Sequence, residues 1–135
     1  MITNRVQIIN SVSIKAGAIS LRSDGIMLYK IKEDYLVDVQ DLKDMVEAVK
    51  RIGNGKKFPN LILMGNYTNI KHDAMDYSTS EENNIYTIAD AFVLKSTHQK
   101  LLANLYLKLN RPKIPTRFFN SEDAAVEWLN AYVEG

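Results

Sequence analysis

The stretch AFVLKSTHQKLLANLYLKLNRPKIPTRFF, residues 91–119, constrains the fold more than any other part of the chain. It starts with Ala91 to Leu94, four apolar residues without polar alternation, the pattern of a strand covered on both faces. Ser96 followed by Gln99 has the form of a capping box. Leu101, Leu102, Leu105, Tyr106 and Leu109 then recur at helical spacing, which predicts a helix over 97–110 with a continuous apolar stripe. Pro112 stops that helix and PTRFF resumes as a strand. Strand, helix and strand in this succession form a crossover, which should be right-handed and make the two strands parallel.

The rest of the chain reads in the same terms. GAISLRSDGIMLYKI carries two apolar alternations around Ser23-Asp24-Gly25, where glycine tolerates positive φ, so strands are expected near 17–23 and 26–32. DVQDLKDMVEAVKRIGNG spaces Leu42, Met45, Val46 and Val49 as a helix, with Asp38 as N-cap and Gly53 or Gly55 closing it. Leu61 to Met64 predict a buried strand between Pro59-Asn60 and Gly65-Asn66. Ser78-Thr79 with Glu81 and Glu82 resemble a capping box ahead of Ile85, Ile88 and Ala89, which predicts a helix from about 79 to 89. NSEDAAVEWLNAYV is a final helix, capped by Asn120 or Ser121 and acidic in its first turn, with Ala125, Trp128, Leu129 and Tyr132 turned inward. The expected class is therefore α/β: a single domain over 17–135 behind an N-terminal extension of 1–16, with a mixed five-stranded sheet and about four helices in the order ββαβαβαβα.

Composition narrows the functional classes. Cysteine is absent, which removes disulfides, thiolate metal sites and thiol nucleophiles. A net charge of +1 supplies no global field for nucleic acid. No apolar run approaches the roughly 20 residues that span a bilayer, and the start lacks the apolar core of a leader, so a cytoplasmic location without membrane insertion is expected. Charge is uneven locally: five acids and no base lie between Asp73 and Asp90, and six bases and no acid between Lys95 and Arg117. Adjacent elements thus carry opposite signs, as solvated faces or as a docking surface.

Catalytic templates fail. His72 and His98 are far apart and lack a partner at metal spacing, and HExxH, GxSxG, a Walker loop and GxGxxG are all missing. His72 with Asp73 or Asp76 is the one candidate base pair, without an identifiable nucleophile, so no catalytic residue, metal or cofactor is assigned. Met27, Met45, Met64 and Met75 suit a core or an adaptable ligand pocket. Asn104 stands on the apolar helix, where a buried amide would need partners, and capping a strand end is its expected role. Ligands of parallel sheets meet the loops past the carboxyl strand ends, here 65–69 with 70–79, 96–98 and 120–122. Thr68, Ser78, Thr79, Ser96 and Thr97 place hydroxyls on that rim.

Through AFVLKSTHQKLLANLYLKLNRPKIPTRFFNSEDAAVEWL, SDGIMLYKI and FPNLILMG, residues 17–133 resemble the STAS/SEC14-like group related to the SpoIIAA-like anti-sigma-factor antagonists. The resemblance implies a STAS-type domain acting as a protein-interaction switch or as a pocket for an apolar molecule. The antagonists of that group carry a phosphorylatable serine after a central strand. The matching position here reads Met64-Gly65-Asn66-Tyr67-Thr68, with no serine, so the switch mechanism does not transfer and Thr68 is the candidate phosphate acceptor. The leading expectation is a non-enzymatic regulatory module that binds another protein through Gly65, Asn66, Tyr67, Thr68, Ser78, Thr79 and Glu82. The alternative is a carrier or sensor of a small apolar ligand held between the sheet and the helices at 79–89 and 97–110. An uncharacterised enzyme stands third. A second copy of the chain is a further expected partner, because the hairpin would leave an unpaired strand edge.

Overall fold

The computed structural model describes residues 5–133. Its main sheet has six strands in the order β1-β2-β3-β5-β7-β8, with β1 at Ile8–Ile14, β2 at Gly17–Arg22, β3 at Met27–Ile31, β5 at Phe58–Leu63, β7 at Thr87–Val93 and β8 at Thr116–Phe119. The first three strands are antiparallel; β3, β5, β7 and β8 run parallel. The crossover expected from residues 91–119 is present: α3, Thr97–Asn110, joins the parallel neighbours β7 and β8. Two further short strands, β4 at Leu36–Val37 and β6 at Asn69–Ile70, pair in parallel beyond the carboxyl ends of β3 and β5.

The sixth strand comes from the segment expected as an extension. Residues 8–14 lie antiparallel against β2, and Val12 and Ile14 pack on the core, so the sheet edge on this side belongs to β1 and not to the hairpin of β2 and β3. The hairpin turn is as expected, with Gly25 at φ 85 and the Arg22–Asp24 ion pair at 2.7 Å fixing it.

Helix α1, Val39–Ile52, starts at Asp38 with a complete capping box: Asp41 N–H donates to Asp38 Oδ1 at 2.8 Å and Asp38 N–H to Asp41 Oδ2 at 3.0 Å. Tyr35 also donates to Asp41, at 2.8 Å, which accounts for a carboxylate only 2% exposed. Helix α4, Glu122–Leu129, is capped by Ser121.

Two helical expectations are corrected. Residues 79–86 form successive turns, and the helix lies earlier, as α2 at His72–Tyr77. The reason is local competition: the Asn83 and Asn84 side chains donate to the Ser78 carbonyl at 3.0 and 2.9 Å, and Asn84 also to the Ser80 carbonyl at 3.0 Å, taking acceptors a helix would use. Thr87, Ile88 and Ala89 then enter β7.

The apolar stripe of α3 is also turned. Leu101, Leu105 and Leu109 are exposed, while Gln99, Leu102, Ala103 and Tyr106 face inward, and Asn104 is exposed and caps no strand. The apolar positions span too wide an arc for all to face the sheet. The inward edge is set by Gln99 and Tyr106, whose polar ends find partners there.

Period-two alternation sorts the strands onto two faces. Ala89, Ala91 and Val93 of β7 join Leu61 of β5 and pack on Ala125 and Leu129 of α4. Asp90 and Phe92 of β7, with Asn60 and Ile62 of β5, point to the opposite face, under α1, α2 and α3. That face is incompletely filled.

Candidate functional site

A cavity of about 190 Å³ lies between the second face and the three helices. Its apolar wall includes Ile31, Ile62, Phe92, Leu102 and three of the four methionines named from the sequence, Met45, Met64 and Met75. An engineered apolar cavity of about 150 Å³ holds benzene, so this one suits a molecule somewhat larger. The cavity opens toward the surface and thus has an entrance.

One end of the cavity is polar. Asn60 Nδ2 donates to Thr87 Oγ1 at 3.1 Å and to Asp90 Oδ1 at 2.9 Å, across the adjacent strands β5 and β7. Asn60 is 2% exposed, and its Oδ1 has no hydrogen-bond partner among the described residues. Burial raises the Asp90 carboxyl to about 6, although the Asn60 hydrogen bond opposes that rise. Asp90 is half-buried and lines the cavity. Burial, and secondarily the Asp90 charge, pushes the Tyr29 phenol far above its usual value; burial likewise raises Tyr106. Ser78 Oγ donates to the Met75 carbonyl at 2.6 Å, which leaves it to accept from the Tyr106 hydroxyl at 3.0 Å.

The other end is closed by the loop after β5. Gln99 is buried and works as a strut: its Oε1 accepts from Lys95 N–H at 2.8 Å, and its Nε2 donates to the Gly65 carbonyl at 3.0 Å and the Thr68 carbonyl at 3.4 Å. Ser96 caps α3 by accepting from Gln99 N–H.

The residues singled out from the sequence divide between cavity and surface. Thr68 and Ser78 line the cavity. Thr68 is 4% exposed and its hydroxyl donates to the Lys32 carbonyl, so a phosphate there would require the loop to open. Gly65 sits against the chain after β3, where a Cβ would come within 2.6 Å of Glu33 N. Asn66 is exposed, its side chain donating to Glu33 at 3.4 Å and its carbonyl accepting from Asp34 N–H at 2.9 Å. Tyr67 is 84% exposed at φ 59. Thr79 donates to the Asp76 carbonyl at 3.0 Å, and Glu82 is exposed. His98 is exposed, and His72 faces Asp76 at 3.5 Å with both side chains in solvent, outside any cleft. No group of three or more His, Asp or Glu side chains suited to a metal occurs among the described residues, and none of their helices is long and apolar enough to cross a membrane.

Asn60, Asp90 and Gln99 are the site residues that the sequence reading passes over. Asn60 reads as a turn residue beside Pro59, Asp90 as one of a run of surface acids, and Gln99 as a capping residue. The available signal was Asp90 flanked by Ala89 and Ala91, an acid inside a strand-like alternation.

Comparison with known proteins agrees with this architecture. A search of curated proteins gives no match. The crystal structure of an uncharacterised protein of the DUF3478 family from Shewanella loihica PV-4, described as having a SpoIIAA-like fold, superposes with a TM-score of 0.54 at 13% sequence identity, covering 96% of this chain and 98% of that one. At that identity the likeness concerns the fold alone, which is SpoIIAA-like as expected. Residues 19–133 match the family model described as a domain of unknown function, DUF7793. The chain thus belongs to the DUF7793 family and carries it on a SpoIIAA-like fold.

Proposed function

We propose that the domain is a non-enzymatic cytoplasmic carrier or sensor that binds a small, largely apolar molecule between its sheet and α1, α2 and α3. The observation that carries this reading is the cavity of about 190 Å³, walled by aliphatic, aromatic and methionine side chains and ended by a few convergent polar groups. Ligand sites commonly have this make-up. Methionine thioethers adapt to irregular shapes, and Met64 and Met75 stand on opposite walls, one following β5 and one on α2.

Native mass spectrometry of the purified protein, with thermal melts in the presence of toluene, tests the reading. A co-purifying small molecule, or a melting temperature raised by toluene, is expected. The effect should vanish in Ala103→Trp, which fills the cavity from α3 at a stability cost of about 1–3 kcal/mol. A clean apo mass together with no response to toluene would overturn the proposal.

A regulatory role as a protein-interaction module is a second reading, favoured by the loop that closes one end of the cavity. Gln99 ties that loop to α3, and Tyr67 projects from it with an exposed ring. A partner reading the loop would sense whether the cavity is filled. Tyr67→Ser should reduce cross-linking to such a partner in extracts of the source cell and leave toluene binding intact; an unchanged cross-linking pattern would argue against it.

A further inference from the structure

We propose that the polar end of the cavity receives a hydrogen-bond-donating head group, an ammonium or a hydroxyl, and discriminates against carboxylates. The inference rests on the apolar-ligand reading and adds the chemical class of the ligand's polar end. Two observations carry it independently.

The first is a surplus of acceptors. Asn60 Oδ1 is buried without a partner among the described residues, and Asp90 beside it receives only the Asn60 amide. The amide has already placed both of its donor hydrogens, on Thr87 and Asp90. A buried acceptor left unmatched is costly, and a donor from a ligand relieves it.

The second is the sign of the wall. Among the described residues lining the cavity there is no Lys, Arg or His, and Asp90 is the only acid. The groups facing Asp90 from neighbouring elements include the Asn60 amide, Thr116 of β8 and the phenols of Tyr29 and Tyr106, none of them cationic near neutral pH. With its carboxyl raised to about 6, Asp90 still ionises largely at neutral pH and does so without a counter-charge. An ammonium would supply that charge, a hydroxyl would supply a proton to share, and a carboxylate would set like charges together.

Four probes of similar size, each with about seven to nine non-hydrogen atoms, separate these cases in a cavity of this volume. Calorimetric titration with toluene, benzylamine, benzyl alcohol and benzoate at about pH 7.5 should rank benzylamine and benzyl alcohol above toluene, and benzoate below all, with at least roughly tenfold between benzylamine and benzoate. Asp90→Asn should remove the advantage of benzylamine over benzyl alcohol. Benzoate binding as tightly as benzylamine would overturn the head-group assignment while toluene binding preserves the apolar pocket, and benzylamine indifferent to Asp90→Asn would do the same. Failure of all four probes would overturn both. Should Asp90→Asn not fold, the ranking of benzylamine against benzoate on the unaltered protein decides alone.

Discussion

The Asn60 amide donates to the Asp90 carboxylate at 2.9 Å across two parallel strands in register, on the face of the sheet that lines the cavity. Because Asp90 is raised from 3.8 to about 6, its protonated form is favoured in the folded protein. The sign follows: this group's contribution to stability is fully present below about pH 4 and is lost as pH rises through about 6, a change on the order of 2–3 kcal/mol. Tyr29 and Tyr106, the ionisable neighbours, are raised and do not titrate in that window. Urea denaturation across this range should therefore show Asp90→Asn gaining stability on the unaltered protein as pH increases from about 4 to 7. Parallel curves would contradict the assignment.

Gln99 joins α3 to the loop after β5 through bonds to Lys95, Gly65 and Thr68. Gln99→Leu keeps most of the volume and strands those groups, at a cost of about 1–3 kcal/mol. Hydrogen exchange should accelerate at residues 65–71 and in the first turn of α3, with β3 and β5 protected as before.

Gly65 is required by close approach rather than by φ. A Cβ there would meet the Lys32 carbonyl carbon and oxygen at 2.6 Å, all backbone atoms that cannot swing aside. Gly65→Ala should lower stability by about 1–3 kcal/mol, and the melting temperature should fall accordingly.

Asp41 serves the Asp38 backbone and the Tyr35 hydroxyl at once. Asp41→Ala should cost about 1–3 kcal/mol, more than loss of a simple cap, because two donors lose their acceptor. The same change should bring the Tyr35 phenol down from about 12, a shift readable by spectrophotometric titration; burial is the larger cause, so the fall should be partial.

The outward leucines of α3 make the opposite forecast. Leu101→Gln and Leu109→Gln should each alter stability by less than about 0.5 kcal/mol, since both side chains are in solvent. Ala103→Asp, on the inward face, should unfold or markedly weaken the protein, and thermal melts would distinguish the two faces directly.

Legibility in the sequence followed the range of the forces involved. The Asp38 cap, the Ser23-Asp24-Gly25 turn and the parallel pair β7 and β8 depend on residues near one another, and each is visible in the string. The helix expected at 79–89 fails because the side chains of Asn83 and Asn84 fold back on their own backbone, an alternative that a capping pattern does not exclude. The facing of α3 depends on Ser78 and Gly65, some thirty residues away, so helical spacing alone leaves its rotation open. The polar end of the cavity depends on strand register: Asn60 and Asp90 meet only once β5 and β7 are aligned.

The two faces of the sheet are unequally supported. Where α4 lies, Ala89, Ala91 and Leu129 are entirely excluded from solvent and form a stiff backing. On the opposite side α3 leans on α2 across a void, anchored at its start by Gln99. A molecule in the cavity would therefore rest on a wall backed by α4 and be covered by α1, α2 and α3 alone.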